Sequence, residues 1–112
     1  MHILKVIDVD TSLIKSNPPI LVINAYGVVA TLGWSNPRLE PRYYIEFPAD
    51  GIQDFDFVAD PPTGMVPQVI TPIAAQIEWD NPPVELKGVR IHAQTNNVEH
   101  LLGGSSKEIS LT

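Results

Sequence analysis

In the segment from Val69 to Trp79, the residues Val69, Thr71, Ile73, Ala75, Ile77 and Trp79 place an apolar or β-branched side chain at every second position. That period lines one face of a β-strand and cannot line one face of a helix, whose apolar positions recur three and four apart. Proline tightens the constraint. The chain carries 11 prolines, scattered between apolar runs rather than gathered in a tract, and each withdraws a backbone donor and steers the preceding residue away from helical geometry. Long helices are therefore disfavoured and short strands between turns are expected. Pro67 and Pro72 place this strand at a sheet edge or beside a bulge.

Other segments read the same way. Residues 2–9 form a first or edge strand ended by a turn at Asp10-Thr11-Ser12, and Ser16-Asn17-Pro18-Pro19 is a firmer break. Residues 20–32 are the longest apolar run and read as a central strand, with Gly27 marking a bulge or a close backbone approach. Residues 34–41, with Pro37 and Pro41, read as a loop. Alternation over residues 42–47 predicts a half-buried strand with Tyr43, Ile45 and Phe47 inward. After the turn Pro48-Ala49-Asp50-Gly51, Phe55 and Phe57 face inward and Asp54 and Asp56 outward. Val89, Ile91 and Ala93 alternate with Arg90, His92 and Gln94, and residues 98–102 add a last short strand. Six or seven such strands predict an all-β, two-sheet β-sandwich, immunoglobulin-like in general architecture.

At 112 residues, with 44% hydrophobic and 18% charged, the chain has the size and apolar content for one core. Residues 1–102 are expected as a single sandwich domain. Residues 103–112, opening on Gly103-Gly104-Ser105-Ser106, are expected as a flexible C-terminal tail. The net charge of -6 sets an average field that repels phosphate backbones and anionic headgroups, so neither nucleic acid nor membrane is expected as a partner. Cysteine is absent, which removes disulfides and thiolate chemistry. The first nine residues carry Lys5 and Asp8 inside a short apolar run, unlike a signal peptide. If Met1 is the native start, the expected compartment is the cytoplasm; a secreted or periplasmic mature form stays open.

A shift of 45 residues aligns Trp34-Ser35-Asn36-Pro37-Arg38-Leu39-Glu40-Pro41-Arg42 with Trp79-Asp80-Asn81-Pro82-Pro83-Val84-Glu85-Leu86-Lys87. Trp, Asn, Pro and Glu coincide. Asn tolerates the constrained geometry before proline, and Trp suits the end of a sheet. The match is either a pseudo-repeat, with the two loops in equivalent places at one end of the sandwich, or the chance recurrence of Asn-Pro.

Candidate sites are weak in chemistry. Asp50, Asp54, Asp56 and Asp60 cluster, with Asp54 and Asp56 about 7 Å apart along one strand, but the spacing is not that of an EF-hand, and a solvated acidic face is the plainer expectation. His2, His92 and His100 lack zincin spacing, and there is neither a Gly-x-Ser-x-Gly elbow nor a glycine-rich phosphate loop. No catalytic residue, metal or cofactor is expected. The best recognition set is Trp34 and Trp79 with Asn36, Arg38, Arg42, Asn81 and Lys87, because aromatics and Arg dominate binding hot spots and loops on a rigid sheet carry them. Core and end-plug packing is the plainer expectation for both Trp side chains. The function expected is a non-enzymatic protein-interaction or assembly module, with another protein or a second copy of the chain as partner. Alternatives are a small-ligand or carbohydrate-binding domain using the Trp loops and, third, a carboxylate-based hydrolase.

Overall fold

The computed structural model describes residues 1–102, and the expected tail lies outside the described residues. Ile20–Val29 (β2) buries Leu21, Ile23, Ala25, Gly27 and Val29 in strict alternation. It is the middle strand of a three-stranded antiparallel sheet, between Lys5–Ile14 (β1) and Thr71–Asp80 (β5). The longest apolar run thus takes the position with a neighbour on either side. A four-stranded sheet packs against it, in the order Ser35–Pro41 (β3), Ile52–Asp60 (β4), Gly88–His92 (β6) and Asn97–Leu101 (β7). Because the chain leaves for β5 in the other sheet between β4 and β6, these two pair parallel, while β3 with β4 and β6 with β7 pair antiparallel. Among the described residues every regular element is a strand.

Phe55 and Phe57 of β4, with Val89 and Ile91 of β6, meet Leu21, Ile23 and Ala25 of β2 in the shared core, joined by Ile3, Val6 and Val9. The inward alternation expected for β4, β5 and β6 is what builds this layer. Residues ahead of β1 tie the two sheets together. Ile3 N–H donates to the Phe57 carbonyl at 3.0 Å, His2 bridges Val58, and Leu4 N–H donates to the Val28 carbonyl at 3.1 Å. His2 fills the side of β4 that β6 vacates beyond His92.

Gly27 answers to the expected close approach. A Cβ there would stand 2.5 Å from the Lys5 carbonyl oxygen and run into the Ile3 side chain. Opposite it, β1 shifts register between Val6 and Asp8, a bulge that the missing side chain accommodates.

Three expectations are corrected. No turn interrupts β1 at Asp10-Thr11-Ser12: Thr11 is buried, and Asp10 accepts a hydrogen bond from Asn24 Nδ2 across the ladder at 2.9 Å, so polar side chains find partners without leaving the strand. Residues 35–41 are a strand rather than a loop. β3 lies at a sheet edge, and its register shifts between Ser35 and Arg38, where Asn36 takes φ 54° ahead of Pro37; edge and bulge are the two settings in which a strand tolerates proline. Residues 42–47 do not form a strand, and Tyr43 and Ile45 are 91% and 105% exposed. The last rung is Arg42 N–H to the Asp54 carbonyl at 2.9 Å. Beyond it, side chains replace the ladder: Tyr44 Oη accepts the Asp54 N–H at 3.0 Å, and Gln53 Nε2 donates to the Arg42 carbonyl at 2.7 Å.

Candidate functional site

Outward-facing residues of β4 and β6 make one connected charged face. Asp54 and Asp56 project from β4, and the register sets Arg90 and His92 of β6 beside them. Arg42 donates from Nη2 to Asp56 Oδ1 at 2.9 Å and from Nε to Oδ2 at 3.2 Å, and His2 Nε2 lies 2.8 Å from Oδ1. The paired Arg42 guanidinium holds the Asp56 carboxyl down at about 2, from its ordinary 3.8, against the opposing effect of burial. Burial pushes the Asp54 carboxyl up, but hydrogen bonds from His92, Tyr44 and Arg90 outweigh it and leave the group below its ordinary value. Arg90 continues the chain to Glu99 at 2.8 Å. The expected acidic face is therefore interleaved with cations. Asp50 accepts the Ile52 N–H in its turn and lies 3.7 Å from Arg90 Nη2 at the margin of this face, and Asp60 binds Arg38. Among the described residues no group of three or more acidic or imidazole side chains converges as metal ligands. The sequence signal for this face was the shared parity of Asp54, Asp56, Arg90 and His92; nothing local signalled that His2 and Tyr44 join it.

The structure divides the recognition set. Trp34 follows the end of β2 and Trp79 stands at the end of β5, and because those strands run antiparallel the two lie at opposite ends of the sandwich. Asn36 and Arg38 stay with Trp34: Arg38 Nη1 donates to the Asn36 carbonyl at 3.0 Å and to Asp60 at 3.2 Å, while Trp34 Nε1 donates to Thr31 Oγ1 at 3.1 Å. Asn81 and Lys87 stay at the Trp79 end, where the Lys87 N–H donates to the Gly51 carbonyl at 2.8 Å. Both indoles are half-buried against the core, and Trp79 stands edge-on to Phe55 at 6.0 Å. Of the pseudo-repeat, one backbone feature is common to both copies: Asn36 and Asn81 share φ of 54° and 53°. Placement of the two loops at one end of the sandwich is corrected by the antiparallel pairing of β2 and β5.

Arg42 and Trp79 do come together. They line a groove of about 360 Å³ between the end of β3 and the inner face of β5, walled by Phe55 and Ile77 and reached by Gln53 and Glu78. The groove runs beside the outer edge of β5. That edge has a defined parity. Asn81 N–H donates to the Pro19 carbonyl at 2.8 Å in register with the β2–β5 ladder. Bonding pairs alternate in an antiparallel ladder, so the odd-numbered residues of β5 bond to β2, and Ala74, Gln76, Glu78 and Asp80 aim their N–H and C=O groups away from it. Pro72 has the same parity, so its missing donor costs the sheet nothing.

The other edges are blunted, β1 only at its start. Near its start β1 carries a bulge and is covered by the turn after β6: Asn96 clasps both the N–H and the carbonyl of Val6 at 2.8 Å, and the Gln94 and Thr95 amides donate to the carbonyls of Ile3 and Leu4. β3 has two prolines, a bulge and the charges Arg38 and Glu40. β7 spans only 5 residues. Among the described residues β5 presents an outer edge 10 residues long with a single proline near its start, and Val69 and Ile70, just before it, are exposed; β1 is as long, and its outer edge beyond the bulge at Val6 is uncovered too, but the groove lies beside β5. No helix here is long and apolar enough to cross a membrane. Set against protein-family models, curated proteins and solved structures, the chain has no match in any of the three.

Proposed function

We propose that this chain is a non-enzymatic protein-interaction module that receives an extended segment of a partner protein on the outer edge of β5. The observation that carries the reading is an edge open from Ala74 to Asp80 that runs beside a groove lined by Trp79, Ile77 and Phe55. Strand addition supplies affinity through main-chain hydrogen bonds and specificity through pockets for alternate side chains. The groove beside Trp79 and Phe55 supports the second part, since an added strand directs every other side chain toward the core side of the sheet. Glu78 and Asp80 disfavour a carboxylate directly opposite them on the partner strand.

An alternating valine–lysine heptapeptide is the probe. Its addition should move the amide resonances of Ala74, Gln76 and Glu78, and Gln76→Pro, which deletes an outward donor and leaves the β2 ladder intact, should abolish the effect. Shifts confined to other strands, or none at saturating peptide, contradict the reading. The aromatic lining of the groove favours, as a second reading, a small apolar or sugar ligand against Trp79. Such a ligand would change Trp fluorescence in wild type and Gln76→Pro alike.

A further inference from the structure

We propose that the strand received by β5 is the β5 of a second copy of this chain, paired antiparallel about Gln76, so that the two three-stranded sheets join edge to edge. The proposal rests on the edge reading above and adds the partner and the register. Charge distribution along β5 sets the orientation and register, and the meeting of Ile73 with the Trp79 groove argues for the second copy. The strand is acidic toward one end, at Glu78 and Asp80, and uncharged toward the other, at Pro72 and Ala74. Antiparallel pairing of two copies sets the acidic end of each against the uncharged end of the other.

Register follows from two requirements. Outward N–H and C=O groups must meet their like, which restricts bonding pairs to even-numbered residues, and like charges must stay apart. With Gln76 opposite its own copy, Ala74 faces Glu78 and Pro72 faces Asp80. The outward groups of Ala74, Gln76 and Glu78 are then all paired, and the proline without a donor falls at the margin. Centring on Glu78 puts that carboxylate against itself. Centring on Ile77 pairs every donor but brings the two Glu78 side chains to diagonal neighbours. Centring on Ala74 puts Pro72 opposite Gln76 and leaves the Gln76 carbonyl without a donor. In the Gln76 register, moreover, Ile73 of one copy lies beside Trp79 of the other on the core side, so an apolar side chain meets the mouth of the groove that Trp79 and Ile77 line.

Sedimentation equilibrium over a range of concentrations tests the proposal with two substitutions at one exposed position. Ala74→Asp places a carboxylate opposite Glu78 twice in each dimer and should weaken association about tenfold; Ala74→Lys places an ammonium there and should strengthen it by a similar factor, an effect that fades with added salt. Ala74 lies on the solvent side of an edge strand, and a folding defect cannot produce opposite responses to the two changes. A chain that stays monomeric to millimolar concentration overturns the proposal, and so does a dimer indifferent to both substitutions or moved the same way by both. Hydrogen exchange separates this failure from failure of the edge reading. A monomer, or a dimer formed elsewhere, whose Ala74, Gln76 and Glu78 amides become protected by the heptapeptide loses only the second copy as partner, whereas amides that exchange freely with the heptapeptide at saturation lose both.

Discussion

Asp56 and Arg42 set the pH response of the charged face. Asp56 ionises at about 2 in the fold and at 3.8 ordinarily, so the stabilisation it contributes is complete above about pH 4 and is lost as pH falls toward 2. Arg42→Ala removes the partner with the largest effect, and the Asp56 carboxyl should then titrate back toward its ordinary range, as followed by carboxyl-carbon NMR; an unmoved titration contradicts the pairing. On the opposite face of the same sheet, His100 Nε2 is buried with no hydrogen-bond partner. A buried polar atom without a partner is a cost, so His100→Leu should leave the denaturant midpoint unchanged or raise stability by up to about 1 kcal/mol. A loss of that size instead would show that the ring nitrogen is satisfied. These details were only half legible beforehand. Alternation fixes that Asp54, Asp56, Arg90 and His92 point outward, but the clasp of Tyr44 on Asp54 depends on where residues 42–47 leave the sheet.

Among the elements, those with a buried face on a strict period of two were readable: β2, β4, β5 and β6 bury the residues their sequences indicate. β3 was not, because whether a strand tolerates proline depends on its lying at an edge or bulge, a property of the whole sheet. Residues 42–47 failed for the converse reason: they alternate, yet Gln53 and Tyr44 take the backbone groups that a ladder would use. Gly27 belongs to this scale, since it lets β2 and the bulged β1 approach. Gly27→Ala should cost about 1–3 kcal/mol through overpacking against the Lys5 carbonyl, read from chemical denaturation; a neutral effect contradicts the close contact. Asn96→Ala unclasps Val6 and should cost about 1–3 kcal/mol, leaving a buried backbone group unsatisfied.

At the scale of the molecule, two sheets enclose one apolar layer in a body of 46 × 33 × 23 Å, and what distinguishes its surface is an uncovered edge that runs beside a groove. The Trp-bearing loops were legible as candidates, but their separation was not, because strand direction decides it and no local signal carries strand direction. Arg42 and Trp79 meet at the groove by the same topology. The measurement that bears most directly on this account is residue-resolved amide hydrogen exchange along β5, made on dilute protein that sediments as a monomer. Ile73, Ala75 and Ile77 should be protected by β2 while Ala74, Gln76 and Glu78 exchange quickly. Uniform protection along the strand, or the reverse alternation, would contradict the open edge from which the proposed function follows.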